Sequence, residues 1–386
     1  PLTFTSSNNP RFEQYYQDVY WLHHHETSKI FNIFHHLLPG RNDTNSWILA
    51  NVQQHGFYRV NYHADNWLAL RKQLLVNHTV FPIITRSQLL DDVWNLALSG
   101  HANISSALEI SDYLHKEKDY VPWSAAEKEL KFVDEKLLLT SVHEPFRKFM
   151  RAKLTDTFRE LGMLNISTGH VNIVTQLLIA EQACYYGIYT CLSEASRHYH
   201  LWMHNQSQYM IDPNFKNLVY CNAIANGGWN EWNFALKMYK KTDDTYEKAR
   251  LLKAMACTKN YMILAHFLAI IIEENSPISF DDAHTAYYSV ANNKFGKDLA
   301  DQFHMANQET LQNNFWIYRP NKYSDNKPKT VSVNMEAEIN KESKSEDLGS
   351  VKLAIDQAIE NEPSHIKWQK KYISTIAQWL KEKKYM

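Results

Sequence analysis

The sequence predicts a mainly α-helical chain, an irregular solenoid of stacked antiparallel helix hairpins preceded by a small β-sandwich domain. Three observations predict it. The 386 residues include only 10 Gly and 11 Pro, too few for a many-turned β protein. Apolar and polar residues alternate up to about residue 62, whereas from His63 onward apolar residues recur at helical spacing. Finally, helical segments follow one another through short polar joints, each with one apolar stripe that cannot be buried alone; stacking successive hairpins covers it. No strict sequence period is visible, so a bundle fits this pattern as well as a solenoid does. A chain of this length has room for two or three domains with separate cores. The boundary is expected where the period changes, giving residues 1–62 and 63–386.

Four stretches before that boundary read as short strands: "PLTFT", "QDVYWLH", "SWILANV" and "GFYRVNY", separated by Asn, Pro, Gly and Asp. In "TRSQLLDDVWNLALSG", Leu89, Val93, Leu96 and Ala97 share a helical face and Gly100 is placed to end the helix. Asp91 and Asp92 read as carboxylates near a helix start, favoured by its dipole, and either is a candidate partner for Arg86. Tyr58 and Arg59 are expected to tie the strands to the neighbouring element. The next stripe is Ala126, Leu130, Val133 and Leu137, with Ser124 as N-cap after Pro122. Then come Phe146, Phe149, Met150, Leu154, Phe158 and Leu161 up to Gly162, followed by Val171, Val174, Leu177 and Leu178. The longest apolar run, 261–272, falls short of the roughly 20 residues a bilayer requires and reads as a buried helix. Residues 320–349 turn polar and charged, which predicts a mobile loop. Helical spacing returns over 353–384, with a break expected at Pro363 and a packed helix at the end.

The net charge of −1 gives no electrostatic reason to expect nucleic acid or an anionic membrane as partner. The chain starts "PLTFTSS", without an initiating Met or the regions of a signal peptide, and "QWLKEKKYM" lacks the tail of a lipid-anchor signal. It reads as a piece of a longer protein. Four cysteines, Cys184, Cys191, Cys221 and Cys257, show no C-x-x-C spacing; disulfides of a secreted protein and reduced core thiols both fit them. Glycosylation sequons stand at Asn42, Asn77, Asn103, Asn165 and Asn205, although about four would arise by chance in a chain of this composition.

The stretch "WLHHHETSKIFNIFHHLLPG" gathers five histidines and a glutamate. A helical zinc peptidase site needs His-Glu-x-x-His, which sets two ligands four residues apart on one face with a Glu between them to activate water. After His25 and Glu26 the second ligand position is Lys29, and "PFR" after His143 and Glu144 fails the same test. In a strand His23 and His25 would point the same way, but exposed histidine-rich loops outnumber ligand sets, and the stretch is read as a loop. No nucleophile elbow, phosphate-binding glycine loop or paired-carboxylate motif stands out. "NMEAE" at 334–338 has a Met-Glu pair without the residues that would make it bind a substrate amine. Trp94, Trp123, Trp229, Trp232 and Trp368 are expected to serve mostly as core or helix-joint anchors. The residues themselves thus propose no catalytic, cofactor or metal site.

At "SWILANVQQHGFYRVNYHADNW" the sequence resembles the zinc aminopeptidases of the aminopeptidase N family, in which a Trp-led strand, an Asn and Gly-aromatic-Tyr-Arg-Val-Asn-Tyr close a small β-sandwich before a helical domain. "TRSQLLDDVWNLALSG", "DYVPWSAA", "IDPNFKNLVYCNAIANGG", "SVANNKFGKDLADQF" and "HIKWQKK" follow in the family's order, over nearly the whole chain. The resemblance implies that residues 1–62 are the family's third, β-sandwich domain and 63–386 its fourth, helical domain. It also implies disulfides pairing Cys184 with Cys191 and Cys221 with Cys257, which suit an extracellular protein or plasma-membrane ectodomain.

The family's zinc ligands, general-base Glu, amine-binding Gly-x-Met-Glu-Asn strand and catalytic Tyr all lie in a domain upstream of this segment. By resemblance, this is the non-catalytic C-terminal part of an extracellular aminopeptidase, inactive alone, which caps the catalytic chamber and shapes peptide access. Its zinc is bound upstream, and its peptide substrates meet the missing catalytic domain. The chain departs from the family at Leu353 and over 320–349. Those departures frame the alternative: an inactive receptor or adhesion protein that binds others through its helical domain. A homodimer or an extracellular protein partner through that domain is a further expectation; nucleic acid is not.

Overall fold

A computed structural model describes residues 1–13, 19–30, 45–163, 169–315, 317 and 349–386. At the N-terminus, β1 (Leu2–Ser6), β2 (Val19–Tyr20) and β3 (Ile48–Ala50) form an antiparallel sheet in the order β2-β1-β3. Leu2 pairs with Tyr20 on one side and Phe4 with Ala50 on the other. The buried face of β1 carries Thr3 and Thr5. Their hydroxyls accept the backbone N–H groups of Val52 at 2.9 Å and Arg11 at 2.8 Å, so the polar atoms on that face are satisfied.

The segment "GFYRVNY" was expected as a strand and forms none. Its backbone is held by side chains instead of a ladder. Asn51 donates to the carbonyls of Gly56 and Tyr58 at 2.9 and 3.0 Å and accepts from Gly56 N at 2.7 Å. Asp92 Oδ2 accepts from Val60 N at 3.2 Å, and the Tyr62 hydroxyl accepts from Ala50 N at 2.9 Å. Asn51 has φ 53°, a left-handed conformation that Asn tolerates because its short side chain bonds locally. A backbone so occupied offers a neighbouring strand no regular edge.

The helices follow in order: α1 (Ala64–Asn77), α2 (Ile83–Leu98), α3 (Ile104–Ser111), α4 (Tyr120–Leu137), α5 (His143–Leu161), α6 (His170–Tyr185), α7 (Tyr189–His204), α8 (Lys216–Asn226), α9 (Trp229–Lys241), α10 (Thr245–Met255), α11 (Tyr261–Ile271), α12 (Phe280–Asn292), α13 (Lys297–Ala306), α14 (Gln308–Phe315) and α15 (Gly349–Glu382). The chain divides into two compact units, Pro1–Asn222 with Tyr372–Met386, and Ala223–Lys371.

In the first unit, α2 packs on both α3 and α4, and α4 on both α5 and α6. In the second, α10 packs on α9 and α12, and α12 on α11, α13 and α14. Contact with the next helix and the next but one is the signature of stacked hairpins and bears out the predicted helical stacking. The expected stripes of α2, α4 and α5 are buried: Leu89, Val93 and Ala97; Ala126, Leu130, Val133 and Leu137; Phe146, Phe149, Met150, Leu154 and Phe158. Gly100, at φ 85°, ends α2 as anticipated, with His101 N bonding back to Leu96 O at 2.7 Å and Gly100 N to Ala97 O at 3.1 Å. The run at 261–272 is α11, whose Ile263, Leu264, Phe267, Leu268, Ile270 and Ile271 are buried.

Four local expectations are corrected. Helix α4 begins two residues before Pro122, after Asp119, so Ser124 lies inside it; Pro is tolerated in a first turn whose N–H groups have no intrahelical acceptor. Helix α6 buries Thr175, Gln176, Leu178, Ile179, Gln182 and Ala183, leaving Val171 exposed and Val174 and Leu177 half-buried. Gln176 Nε2 bonds Leu161 O at 2.7 Å and Gln182 Nε2 bonds Glu127 Oε1 at 2.6 Å, so polar partners rotate the helix off its apolar stripe. Asp91 and Asp92 sit in the middle of α2, beyond the reach of its dipole. Helix α15 runs through Pro363 without a break, since one proline removes one intrahelical bond and a long helix can absorb the loss. The loop expected at 320–349 falls, apart from Gly349, outside the described residues.

The C-terminal end of α15 is built into the first unit. Its Tyr372 hydroxyl donates to Ala97 O at 2.9 Å, and Trp379, 3% exposed, packs edge-on against Phe149 with ring centroids 5.1 Å apart. Trp379→Ala is expected to lower the unfolding free energy by about 3–5 kcal/mol, read as a fall in urea midpoint with little change in slope.

Candidate functional site

Acidic side chains organise three clusters in the first unit, where they meet basic or phenolic partners. Glu109, near the end of α3, and Asp112, one residue past it, form a hub. Arg71 of α1 pairs with Glu109 and stands 3.6 Å from Asp112. Lys153 of α5 donates to Asp112 Oδ1 at 2.5 Å. From the C-terminus, Trp379 Nε1 donates to Glu109 Oε1 at 2.7 Å, and Lys383 reaches Asp112 Oδ2 at 3.3 Å. Burial pushes the Asp112 carboxyl up, but Lys153 and Lys383 outweigh it and hold the group below its ordinary range.

A second cluster centres on the buried Arg86 and Glu117, with Asp119 partly exposed at its edge. Arg86 of α2, 3% exposed, forks onto Glu117 with Nε to Oε2 at 2.8 Å and Nη2 to Oε1 at 3.2 Å. It also pairs with Asp119 and donates to Phe81 O at 2.8 Å. Glu117 in turn accepts from the Tyr113 hydroxyl and from the backbone N of Lys118 and Asp119, each at 3.0 Å. Arg86 therefore meets Glu117 and Asp119, not Asp91 or Asp92. Asp91 pairs with Arg59 at 3.2 Å, so Arg59 does tie the N-terminal segment to α2, as expected. Tyr58 donates to Pro1 O at 3.3 Å and stays within that segment.

The third cluster braces the α6–α7 joint. Cys184 and Cys191 are bridged across it, with Cα atoms 5.3 Å apart. Asp134 of α4 accepts from Arg147 Nη1 at 3.0 Å and from the Tyr185 hydroxyl at 2.9 Å, and His143 Nε2 lies 3.2 Å from its other oxygen. Arg147 also donates to Tyr185 O at 2.5 Å and stacks over the rings of Tyr185 and Tyr186. Cys221 and Cys257 are likewise disulfide-bonded, and none of the four cysteines is free. Nearby in sequence, His198 is held between Arg197 and the Tyr209 hydroxyl; burial, aided by Arg197, lowers its pKa to about 4 and keeps it neutral at physiological pH.

Asp92 differs from these acids. It is 2% exposed, accepts from Val60 N at 3.2 Å, and has no cation within salt-bridge distance among the described residues. Burial raises its carboxyl to about 6, with neighbouring Asp91 adding to the rise and the Val60 N–H, Gln88 and Arg59 opposing it.

Of the histidine-rich stretch, His23, His24 and His25 are exposed, and His35 and His36 lie outside the described residues. Glu26 turns back to accept from His23 N at 2.8 Å and pairs with Lys29 at 3.2 Å. Trp94, Trp123 and Trp232 are buried as core anchors, whereas Trp229 is exposed. Asn77, Asn103 and Asn205 are exposed, and Asn42 and Asn165 lie outside the described residues. The three clusters had no local signal in the sequence, because their members lie up to 274 residues apart.

Residues 47–334 match the family model described as "ERAP1-like C-terminal domain". The chain belongs to that family. It is 29% identical to aminopeptidase N of Homo sapiens over 352 residues, which cover 88% of this chain and 36% of that protein. To aminopeptidase N of Rattus norvegicus it is 29% identical over 383 residues, covering 95% and 38%. To that of the moth Plutella xylostella it is 32% identical over 257 residues, covering 66% and 27%. The ERAP1-like domain chain thus spans little more than a third of the mammalian relatives' length. The likeness to aminopeptidase N implies a zinc enzyme family, but the described residues of this domain do not fit a zinc centre. Among those described, no three His, Cys, Asp or Glu side chains are grouped to hold a metal ion. Glu26 is engaged by Lys29, and His143 Nε2 lies 3.2 Å from Asp134 Oδ1.

Two predictions follow from this chemistry. Arg86→Met removes the guanidinium partner of the buried Glu117 carboxyl and is expected to cost about 3–5 kcal/mol in chemical denaturation, whereas exposed Arg59→Ala costs about 1 kcal/mol or less. For Asp92 the folded pKa of about 6 lies above the ordinary 3.8, so its stabilising contribution is complete below pH 3.8 and is lost as pH rises through 6. Asp92→Asn is therefore expected to raise the urea midpoint at pH 7.5 and to flatten its decline between pH 4 and 7; an unchanged pH profile contradicts the assignment.

Proposed function

We propose that this chain is the non-catalytic C-terminal part of an extracellular zinc aminopeptidase, whose helices cap the catalytic chamber and shape the access of short peptides to it. Family membership carries the reading, together with a span of 36–38% of the mammalian relatives. The acids described above support it from the side of chemistry. Glu109, Asp112, Glu117 and Asp134 are each engaged by cations or phenols of this chain and serve as internal braces. The zinc and the groups that hold a peptide's amino terminus then belong to the upstream part, and the pinned helices supply a stable wall.

The oxidised cysteines favour an extracellular setting, since disulfides persist in oxidising compartments. No described helix is long and apolar enough to cross a membrane, so the described residues offer no helical anchor. The reading is tested by assaying the purified 386-residue chain and the intact protein side by side on aminoacyl anilides and on a peptide-length series. The chain alone is expected to release no product, while the intact protein cleaves and favours short peptides. Zinc-dependent turnover by the chain alone, or an intact protein without activity, overturns it.

A further inference from the structure

The described sequons differ in how their amides are used. Asn77 closes α1 and caps the following 3-10 turn (His78–Val80): its Oδ1 accepts from Thr79 N at 3.1 Å and from the Thr79 hydroxyl at 2.7 Å. Asn103 caps α3, its Oδ1 accepting from Ser105 N at 3.0 Å. Both side chains are exposed, and in both the Nδ2 has no partner among the described residues. Asn205 is different, because its Nδ2 donates to Gln208 Oε1 at 2.8 Å. The capping oxygen and the modifiable nitrogen are thus separate atoms at Asn77 and Asn103, so substitution at nitrogen leaves each cap intact.

We propose that Asn77 and Asn103 carry N-linked glycans. In the transfer, Nδ2 bonds the anomeric carbon of a lipid-linked oligosaccharide diphosphate. The anomeric C–O bond breaks, the lipid diphosphate leaves with its electron pair, and the amide gives up one proton. The product is a secondary amide whose carbonyl still accepts from Thr79 or Ser105. The two joints stand at opposite ends of the 16-residue α2, about 24 Å apart by its rise. A hydrated glycan at each keeps both joints facing solvent in the intact protein, so no upstream segment covers them. The inference rests only on the extracellular element of the proposed function.

The test is peptide mapping of the intact protein secreted from eukaryotic cells, with glycans released by amidase in heavy-oxygen water. Asn77 and Asn103 are expected mainly as labelled Asp. Asn77→Asp and Asn103→Asp keep the capping oxygen and are expected each to remove one glycan step in gel mobility at unchanged secretion. Ser105→Ala is expected to do the same for Asn103, since its backbone N–H still serves the cap. Unmodified Asn77 or Asn103 as the main form, or mobility that ignores these substitutions, overturns the inference. Peptidase activity of the same sample is read separately, so loss of one reading is not mistaken for loss of the other.

Discussion

Two carboxylates at the end of one short helix close the first unit. Glu109 and Asp112 stand where α1, α3, α5 and the C-terminal end of α15 meet, and they take up Arg71, Lys153, Lys383 and the indole N–H of Trp379. Charges brought this far out of water are costly unless paired and hydrogen-bonded, so each constrains the others. The C-terminal residues 372–386 thus join the unit as a required counter-ion and ring donor, which is why the last part of the chain belongs with the first. The same logic recurs at Arg86 with Glu117 and at Arg147 with Asp134.

Such braces suit a part that must hold its shape while chemistry proceeds elsewhere. A reacting acid must be open to substrate and poised to exchange a proton. Glu117, at 0% exposure and with every near donor already used, is neither. Asp92 alone among the buried acids discussed lacks a cation, and it fastens the N-terminal segment through a single backbone N–H at 3.2 Å. That makes the junction between sheet and helices a place where protonation alters the balance of the fold.

Much of the architecture was legible in the sequence because helix burial follows spacing. Leu89 with Val93, and Leu130 with Val133, face the core as their intervals require. Spacing failed on α6, where Gln176 and Gln182 found polar partners and turned Val171 outward. It also failed at "GFYRVNY", whose alternation is that of a strand but whose backbone is occupied by Asn51 and Asp92. Ion-pair partners were the least legible feature. Arg86 selected Glu117, 31 residues away, and Glu109 selected Lys383 across 274, choices fixed by tertiary packing with no trace in local pattern. The disulfides were legible only through family resemblance, since Cys spacing left reduced thiols equally open.

The C-terminal end of α15, residues 372–382, is an integral member of the first unit, held by the Glu109–Asp112 hub. Native-state hydrogen exchange tests it most directly. Amides of residues 373–382 and of α3 are expected to exchange through one shared opening, with equal free energies and equal denaturant dependence. A separate opening of residues 373–382, at lower free energy and without loss of protection in α3, would contradict it.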